Sequence, residues 1–401
     1  KVEGTDNDTL LDIIGKEYSS YQDDIYIEAG EMIYLIKKEK PDEANWAKEL
    51  GIKTTGVLID ENGELQCVYD VSSLIDENGV LRIPERATSI AKGAFNGIEA
   101  KIKEVIIPST CQIIGGTVFA NTQIEKVTFE VDSQGNGVKS IAGSAFFNCV
   151  NLKEVNLPDS LTEMGVAVFE GCKNLETVVL SKSMTNIPQS TFYGCSSLKN
   201  IEIPSNIVSI SNYAFSRCTS LEVLNISKNL TQIAANAFSN CDKLTLIVNE
   251  ENPVYKMVDD TLCSKDGTKI LQIFRGSSIT VYSIPQGVLS VSDCFSTCTN
   301  IETLVIPKSL TSMSATSLDP LTILSTIKVD EENEFYSADE SALYNKDQTI
   351  LIKCLEQGMS YTVKDTVKTL GSYCFSGKKK LKNVTLPGGL KTIGSNAFRY
   401  C

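Results

Sequence analysis

The sequence predicts a solenoid of α/β to mostly β class, in which each coil lends one strand to a parallel sheet. Three observations predict it. Phe146, Phe169, Phe192, Phe215 and Phe238 follow one another at intervals of 23 residues. Cys149, Cys172, Cys195, Cys218 and Cys241 each follow one of these rings by three positions. Ahead of each Phe–Cys pair runs a fixed apolar pattern, such as Leu152, Val155, Leu157-Pro158, Leu161 and Met164 before Phe169. Residues locked to one period mark coils that stack like on like.

Length and charge set the first bounds. A chain of 401 residues suggests two or three globular domains on length alone, but a repeat array grows along one axis without enlarging its core radius. The formal net charge of −13 argues against a nucleic-acid backbone or an anionic membrane face as partner, because both need clustered Lys and Arg. The absence of histidine excludes Ser-His-Asp and Cys-His nucleophiles and His-ligated metal sites. No apolar run is long enough to span a membrane. Residue 1 is Lys and no signal peptide precedes it, which reads as a chain whose native N-terminus was removed, with any anchor outside it.

The thirteen cysteines suggest a disulfide scaffold until they are placed. Cys149, Cys172, Cys195, Cys218, Cys241, Cys298 and Cys401 share one repeat position, and Cys294 and Cys374 directly precede a phenylalanine. Side chains in a stacked ladder point the same way, which suits disulfide geometry poorly. The expected arrangement is a column of small buried thiols, with no metal or other cofactor.

Residues 1–72 lack the repeat and predict a small α+β region. Asp8 opens a helix with Leu10, Leu11, Ile13 and Ile14 as its stripe. Ile25–Ile27 and Met32–Ile36 read as a hairpin. Pro41 starts a second helix, which contains Trp46 and which Gly51 stops. Two Asp-Glu-Asn-Gly turns at 60–63 and 76–79 sit between β-prone runs and predict hairpins; their spacing does not fit an EF-hand calcium loop. The region reads as a cap over the open solenoid end, with a separate binding domain as the alternative.

The array, residues 73–401, begins at Val80-Leu81-Arg82-Ile83-Pro84. Alignment on the phenylalanine gives eleven coils, at Phe95, Phe119, Phe146, Phe169, Phe192, Phe215, Phe238, Phe295, Leu318, Phe375 and Phe398. Val155 and Leu157 alternate with strand period, both facing inward. Proline at 84, 108, 158, 204, 285, 307 and 387 ends the strand, since it lacks the N–H a ladder needs. The phenylalanine is the core plug. Asn148, Gly171, Gly194 and Asn240, just before the cysteine, suit a left-handed turn; Arg217 breaks that preference. Phe238 to Phe295 and Leu318 to Phe375 are each 57 residues. These extended coils, near 249–286 and 330–366, match each other. Asn249-Glu-Glu-Asn252 parallels Asp330-Glu-Glu-Asn333, and Lys265-Asp-Gly-Thr268 parallels Lys346-Asp-Gln-Thr349, each a hairpin turn.

The pattern Leu-x-x-Val-x-Ile-Pro-x-x-Leu-x-x-Ile-x-x-x-Ala-Phe-x-x-Cys, matched closely from Ile201-Glu-Ile-Pro204 to Ala214-Phe-Ser-Arg-Cys218, resembles the BspA-like leucine-rich repeats of bacterial surface proteins. The resemblance covers about residues 80–401. It implies a right-handed leucine-rich-repeat solenoid with its parallel sheet on the concave side, an extracellular, cell-surface location and, in some members, adhesion to host proteins. It carries no catalytic residue over to this chain.

A solenoid offers its repeated strand face to a partner. The exposed positions flank the central inward residue: Glu104 and Ile106, Lys126 and Thr128, Glu154 and Asn156, Thr177 and Val179, Asn200 and Glu202, Val223 and Asn225, Thr303 and Val305, Thr326 and Lys328, Asn383 and Thr385. The face has no aromatic ring and is a poor platform for stacking sugars. The long coils gather Tyr255, Tyr282, Tyr336, Tyr344 and Tyr361, which are candidate interface anchors or cross-strand packing. Glu154 and Glu202 share the face, two coils or ~10 Å apart, outside the usual inverting separation of ~6.5–9.5 Å. The favoured function is binding of another macromolecule, a host or cell-surface protein before a glycan. The alternatives are a spacer for a domain outside the chain and an enzyme seated in the N-terminal region.

Overall fold

The computed structural model describes residues 23–29, 32–38, 57–60, 62–68, 71–98, 100–274, 278–296, 298–314 and 316–401. The helices expected at Asp8 and at Pro41–Gly51 lie outside them. Asp23–Ala29 and Met32–Lys38 pair antiparallel, with Ala29 opposite Met32, as the sequence predicts. The chain divides into two compact units, Lys1–Leu221 with Gln232–Phe238, and Glu222–Thr231 with Ser239–Cys401. Among the described residues each unit is a parallel-strand β-solenoid with almost no helix, about 14 turns in all, and the helical element there is the short 3-10 turn Val71–Leu74.

In the first unit each coil contributes two strands rather than one. The first column runs through Val80–Arg82, Glu104–Ile107, Lys126–Phe129, Glu154–Asn156, Thr177–Val179 and Asn200–Glu202, all parallel neighbours. Val155, Val178 and Ile201 point inward and are buried. Proline then turns the chain: Pro108, Pro158 and Pro204 each accept a hydrogen bond from the amide three residues on. A second column follows in two-residue strands, Ser89–Ile90, Ile113–Ile114, Ser140–Ile141 and Glu163–Met164, continued in a separate sheet by Asn186–Ile187, Ser209–Ile210 and Gln232–Ile233.

The phenylalanine turn closes each coil. Its backbone is bonded coil to coil at alternate residues: Ser144 N donates to Val166 O, Phe146 N to Val168 O and Asn148 N to Glu170 O, at 2.9, 2.9 and 2.7 Å. Satisfying this ladder needs two left-handed residues per turn. One precedes the cysteine, where Asn148, Gly171, Gly194 and Arg217 all have φ between 56° and 76°; Arg217 therefore adopts the same conformation as its glycine and asparagine neighbours. The other lies two before the phenylalanine and is Ser144, Ala167, Ser190 or Tyr213. A left-handed alanine is costly in isolation; here the amide of Ala167 is held to Gln189 O at 2.9 Å. Seven rings, from Phe95 to Phe238, stack with centroids 5.1–5.8 Å apart.

Two expectations are corrected. The stacked sheet begins before residue 73, because Glu64–Val68 pairs in parallel with Ser89–Ile90. Glu64–Val68 is itself the outgoing arm of an antiparallel hairpin with Val57–Ile59, built on the first Asp-Glu-Asn-Gly turn. The second such turn makes a single antiparallel bridge, Ile75 to Leu81, and leads straight into the array. Counting phenylalanines also misses coils that have none. Hairpins at 57–68, 261–273 and 342–354 carry the same one-residue slip in register, and they add turns to the eleven aligned on the ring.

The second unit contains the two long coils. Asn252 and Asn333 organise them, both fully buried. Asn252 Nδ2 donates to Ser227 O and Leu230 O at 2.8 and 2.9 Å, while its Oδ1 accepts from the amides of Val254 and Tyr255. Asn333 repeats this with Pro307 O, Leu310 O and the amides of Phe335 and Tyr336. Each hairpin's last strand then takes the second-column place of the next coil: Ile350–Cys354 pairs in parallel with Thr369–Leu370.

Candidate functional site

The strand registers turn the flanking positions into two ladders. In the first unit one ladder stacks Glu104, Lys126, Glu154, Thr177 and Asn200, and the other stacks Asn156, Val179 and Glu202. Inward valines and isoleucines fix every flanking side chain to the outer face, since strand residues alternate sides. Asn156, Thr177, Asn200 and Glu202 are exposed, whereas Glu104, Lys126 and Glu154 are half-buried.

The half-buried three form an ion network. Lys126 Nζ lies 3.4 Å from Glu104 and 3.7 Å from Glu154, and Thr128 Oγ1 donates to Glu104. These charges are spent largely on one another. Glu154 and Glu202, considered as a carboxylate pair, stand in different ladders two strands apart, with Thr177 and Val179 between them. Further along the face Val179 is 56% exposed, between Asn156 and Glu202 in its own ladder and beside Thr177. An exposed β-branched side chain ringed by polar groups has the anatomy of an interface centre with its rim.

In the second unit Asn225 and Lys328 are exposed and Thr303 is half-buried. Val281, Thr303 and Thr326 form one ladder, and Ser283, Val305 and Lys328 the other. Val281 is 60% exposed. Sequence reasoning missed Val281 and Ser283 because Tyr282 stands where other coils carry an inward aliphatic residue. The period-two alternation around it was the available signal.

The five long-coil tyrosines are core, not surface. Tyr255, Tyr282, Tyr336, Tyr344 and Tyr361 are all buried, which removes them as interface anchors and leaves packing as their role. The reason is volume. A hairpin coil lacks the phenylalanine turn, and a tyrosine fills the space from the strand side: Tyr282 meets Phe295 edge-on at 5.7 Å and Tyr361 meets Phe375 at 5.5 Å.

The cysteine column is buried from Cys149 to Cys298, with free thiols, and Cys401 is exposed. Cys172, Cys195 and Cys218 donate to the carbonyls of Phe146, Phe169 and Phe192 at 3.1–3.2 Å. Burial pushes the Cys172 and Cys195 thiols up, away from the reactive thiolate. Among the described residues no group of three or more His, Cys, Asp or Glu could hold a metal ion, and no helix is long and apolar enough to cross a membrane.

Parallel strands repeated coil by coil around leucine, isoleucine and phenylalanine columns define a leucine-rich-repeat protein. The BspA-type leucine-rich-repeat pattern matches residues 78–135, 131–245, 271–359 and 353–401 in six copies, and the chain belongs to that family. Among solved structures it is similar to a leucine-rich cell surface protein from Faecalibacterium prausnitzii, with 20% identity, a TM-score of 0.59, and coverage of 86% of this chain and 96% of that one. A leucine-rich-repeat protein from Bacteroides ovatus aligns at 21% identity and TM-score 0.46, over 86% of this chain and 90% of its own. The pneumococcal vaccine antigen PcpA aligns at 20% identity and TM-score 0.44, over 85% and 83%. No curated protein sequence matches the chain.

Proposed function

We propose that this chain is a displayed binding protein of the bacterial cell surface, which docks another protein on its strand face. The observation that supports this most is the patch around Val179, an exposed apolar side chain with Asn156, Thr177, Asn200 and Glu202 about it. Flat, repeated faces of this kind suit extended partners, and an apolar centre with a polar rim suits a protein. Among the described strand-face positions there is no aromatic ring, so a glycan would find no stacking surface. Membership of the BspA-type family and the fold likeness to a bacterial cell surface protein support the location.

Folded protein tested against immobilised extracellular-matrix proteins and a glycan array decides between the readings. Saturable binding to a protein, abolished by the paired substitution Thr177→Arg and Val179→Asp with an unchanged melting temperature, is the expected result. Binding to glycans alone, or binding that survives both substitutions, counts against it.

A further inference from the structure

The second hairpin coil leaves a cavity where a phenylalanine turn would otherwise stack. The cavity is about 550 Å³. Thr322 lines it from the turn before the hairpin coil, Lys378, Lys379 and Lys380 from the turn after it, and Glu356 from the chain between. Tyr400 also lines it.

Lys378 occupies the cysteine position of its coil, three residues after Phe375. Where Cys172, Cys195 and Cys218 place a small thiol on the carbonyl of the preceding phenylalanine, this coil places a long side chain with a primary amine. Lys378 is 5% exposed, and its Nζ is buried without a hydrogen-bond partner. Lys353, from the hairpin's last strand, is 2% exposed and its Nζ is likewise buried and without a partner. Repulsion between the two amines and, above all, burial hold the Lys378 amine down at about 8. The one carboxylate in the wall, Glu356, turns Oε1 to the amides of Gln357 and Gly358, at 3.0 and 2.7 Å.

The surrounding charge departs from that of the whole chain. Residues 351–401 contain nine Lys or Arg, against Glu356 and Asp365, in a protein of net charge −13. A buried amine that lacks an acceptor, with the Glu356 carboxylate near it but hydrogen-bonded to backbone amides, is costly. An oxyanion supplies the acceptor and further negative charge, through charge-assisted hydrogen bonds, and a basic surround raises the local concentration of anions.

We propose that this cavity binds an oxyanion, a small ligand bearing a phosphate or a carboxylate, with its charged end at Lys378 and with Lys379 and Lys380 as the exposed cations around it. The site lies on the turn side of the coils, apart from the strand face, and does not depend on the function proposed for that face.

The test uses the whole chain and three probes, inorganic phosphate, pyrophosphate and citrate, each at an ionic strength matched with chloride. Calorimetry reads the affinity. Acylation of Lys378 by an amine-reactive reagent, followed by peptide mass spectrometry, reads occupancy. Saturable binding by at least one probe is expected, together with slowed acylation of Lys378. Lys378→Met is expected to weaken binding about tenfold or more, the worth of one charge-assisted hydrogen bond. Binding by the phosphates alone identifies a phosphorylated ligand, by citrate alone a carboxylate, and by both the shared chemistry. No saturable binding beyond the chloride control overturns the proposal, as does equal affinity in Lys378→Met. If that variant does not fold, acylation of wild-type Lys378 at one rate with and without the probes overturns it equally.

Discussion

Tyr282 and Thr261 meet hydroxyl to hydroxyl at 2.9 Å inside the second unit. The next hairpin coil repeats the device with Tyr361 and Tyr344, at 3.0 Å. In both, a ring too large for its strand position fills the place of the missing phenylalanine turn, and a partner from the hairpin satisfies its hydroxyl. Tyr282→Phe keeps the ring and leaves the Thr261 hydroxyl buried and unmatched. Its expected cost is about 1–3 kcal/mol, read from urea denaturation. Wild-type stability in this variant would show that the hydroxyl pair contributes nothing.

Asn333 is the second hairpin coil's most connected side chain. Asn333→Leu keeps the volume but strands the Leu310 carbonyl and two amides that Asn333 now serves, while Pro307 O keeps the amide of Leu310. At about 1–3 kcal/mol for each buried polar group left without a partner, the loss should exceed that of Tyr282→Phe. A smaller loss, measured under the same conditions, contradicts the organising role given to Asn333.

The thiol column should be silent in the native state. Cys172, Cys195 and Cys218 are fully buried and turned to backbone carbonyls, so a maleimide should label exposed Cys401 first and these three only after denaturation. Rapid native labelling of any of the three would place the column wrongly.

Lys378 gives a pH signature. Its amine titrates at about 8 in the fold, against 10.5 as its usual value. Between those values the unfolded chain binds more protons, so this group makes stability rise with pH across the window, and its penalty is fully present below about 8. Other groups titrate there too, so the informative quantity is wild type minus Lys378→Met. That difference should climb in favour of the wild type from pH 8 to 10.5; a flat difference contradicts the burial of the amine.

Much of this architecture was readable from spacing. Phe146 to Phe238 and the cysteines behind them give the period outright, because a side chain that must stack on its own kind cannot drift in sequence. The second strand column was not readable, since two residues such as Ser140–Ile141 are too short to leave an alternation. Nor was the left-handed conformation of Ala167 and Arg217, which the coil-to-coil ladder imposes against local preference. The hairpin at 57–68 was legible from its Asn-Gly turn, but its place as the first turn of the stack was not, because that coil has no phenylalanine to mark it. Of the candidate site, the flanking strand positions were legible from period two. Tyrosine burial was legible only as the packing alternative to interface anchors, because composition does not say which coil lacks its plug. The position of Lys378 could have been found by continuing the cysteine count past Cys298.

The account rests on coils that stack through a continuous phenylalanine column, and Phe192 sits inside it, fully buried with Phe169 at 5.8 Å and Phe215 at 5.4 Å. Equilibrium denaturation of Phe192→Ala tests this most directly. The stacked core predicts a loss of ~3–5 kcal/mol from the cavity. A loss under about 1 kcal/mol, well below that range, would contradict it.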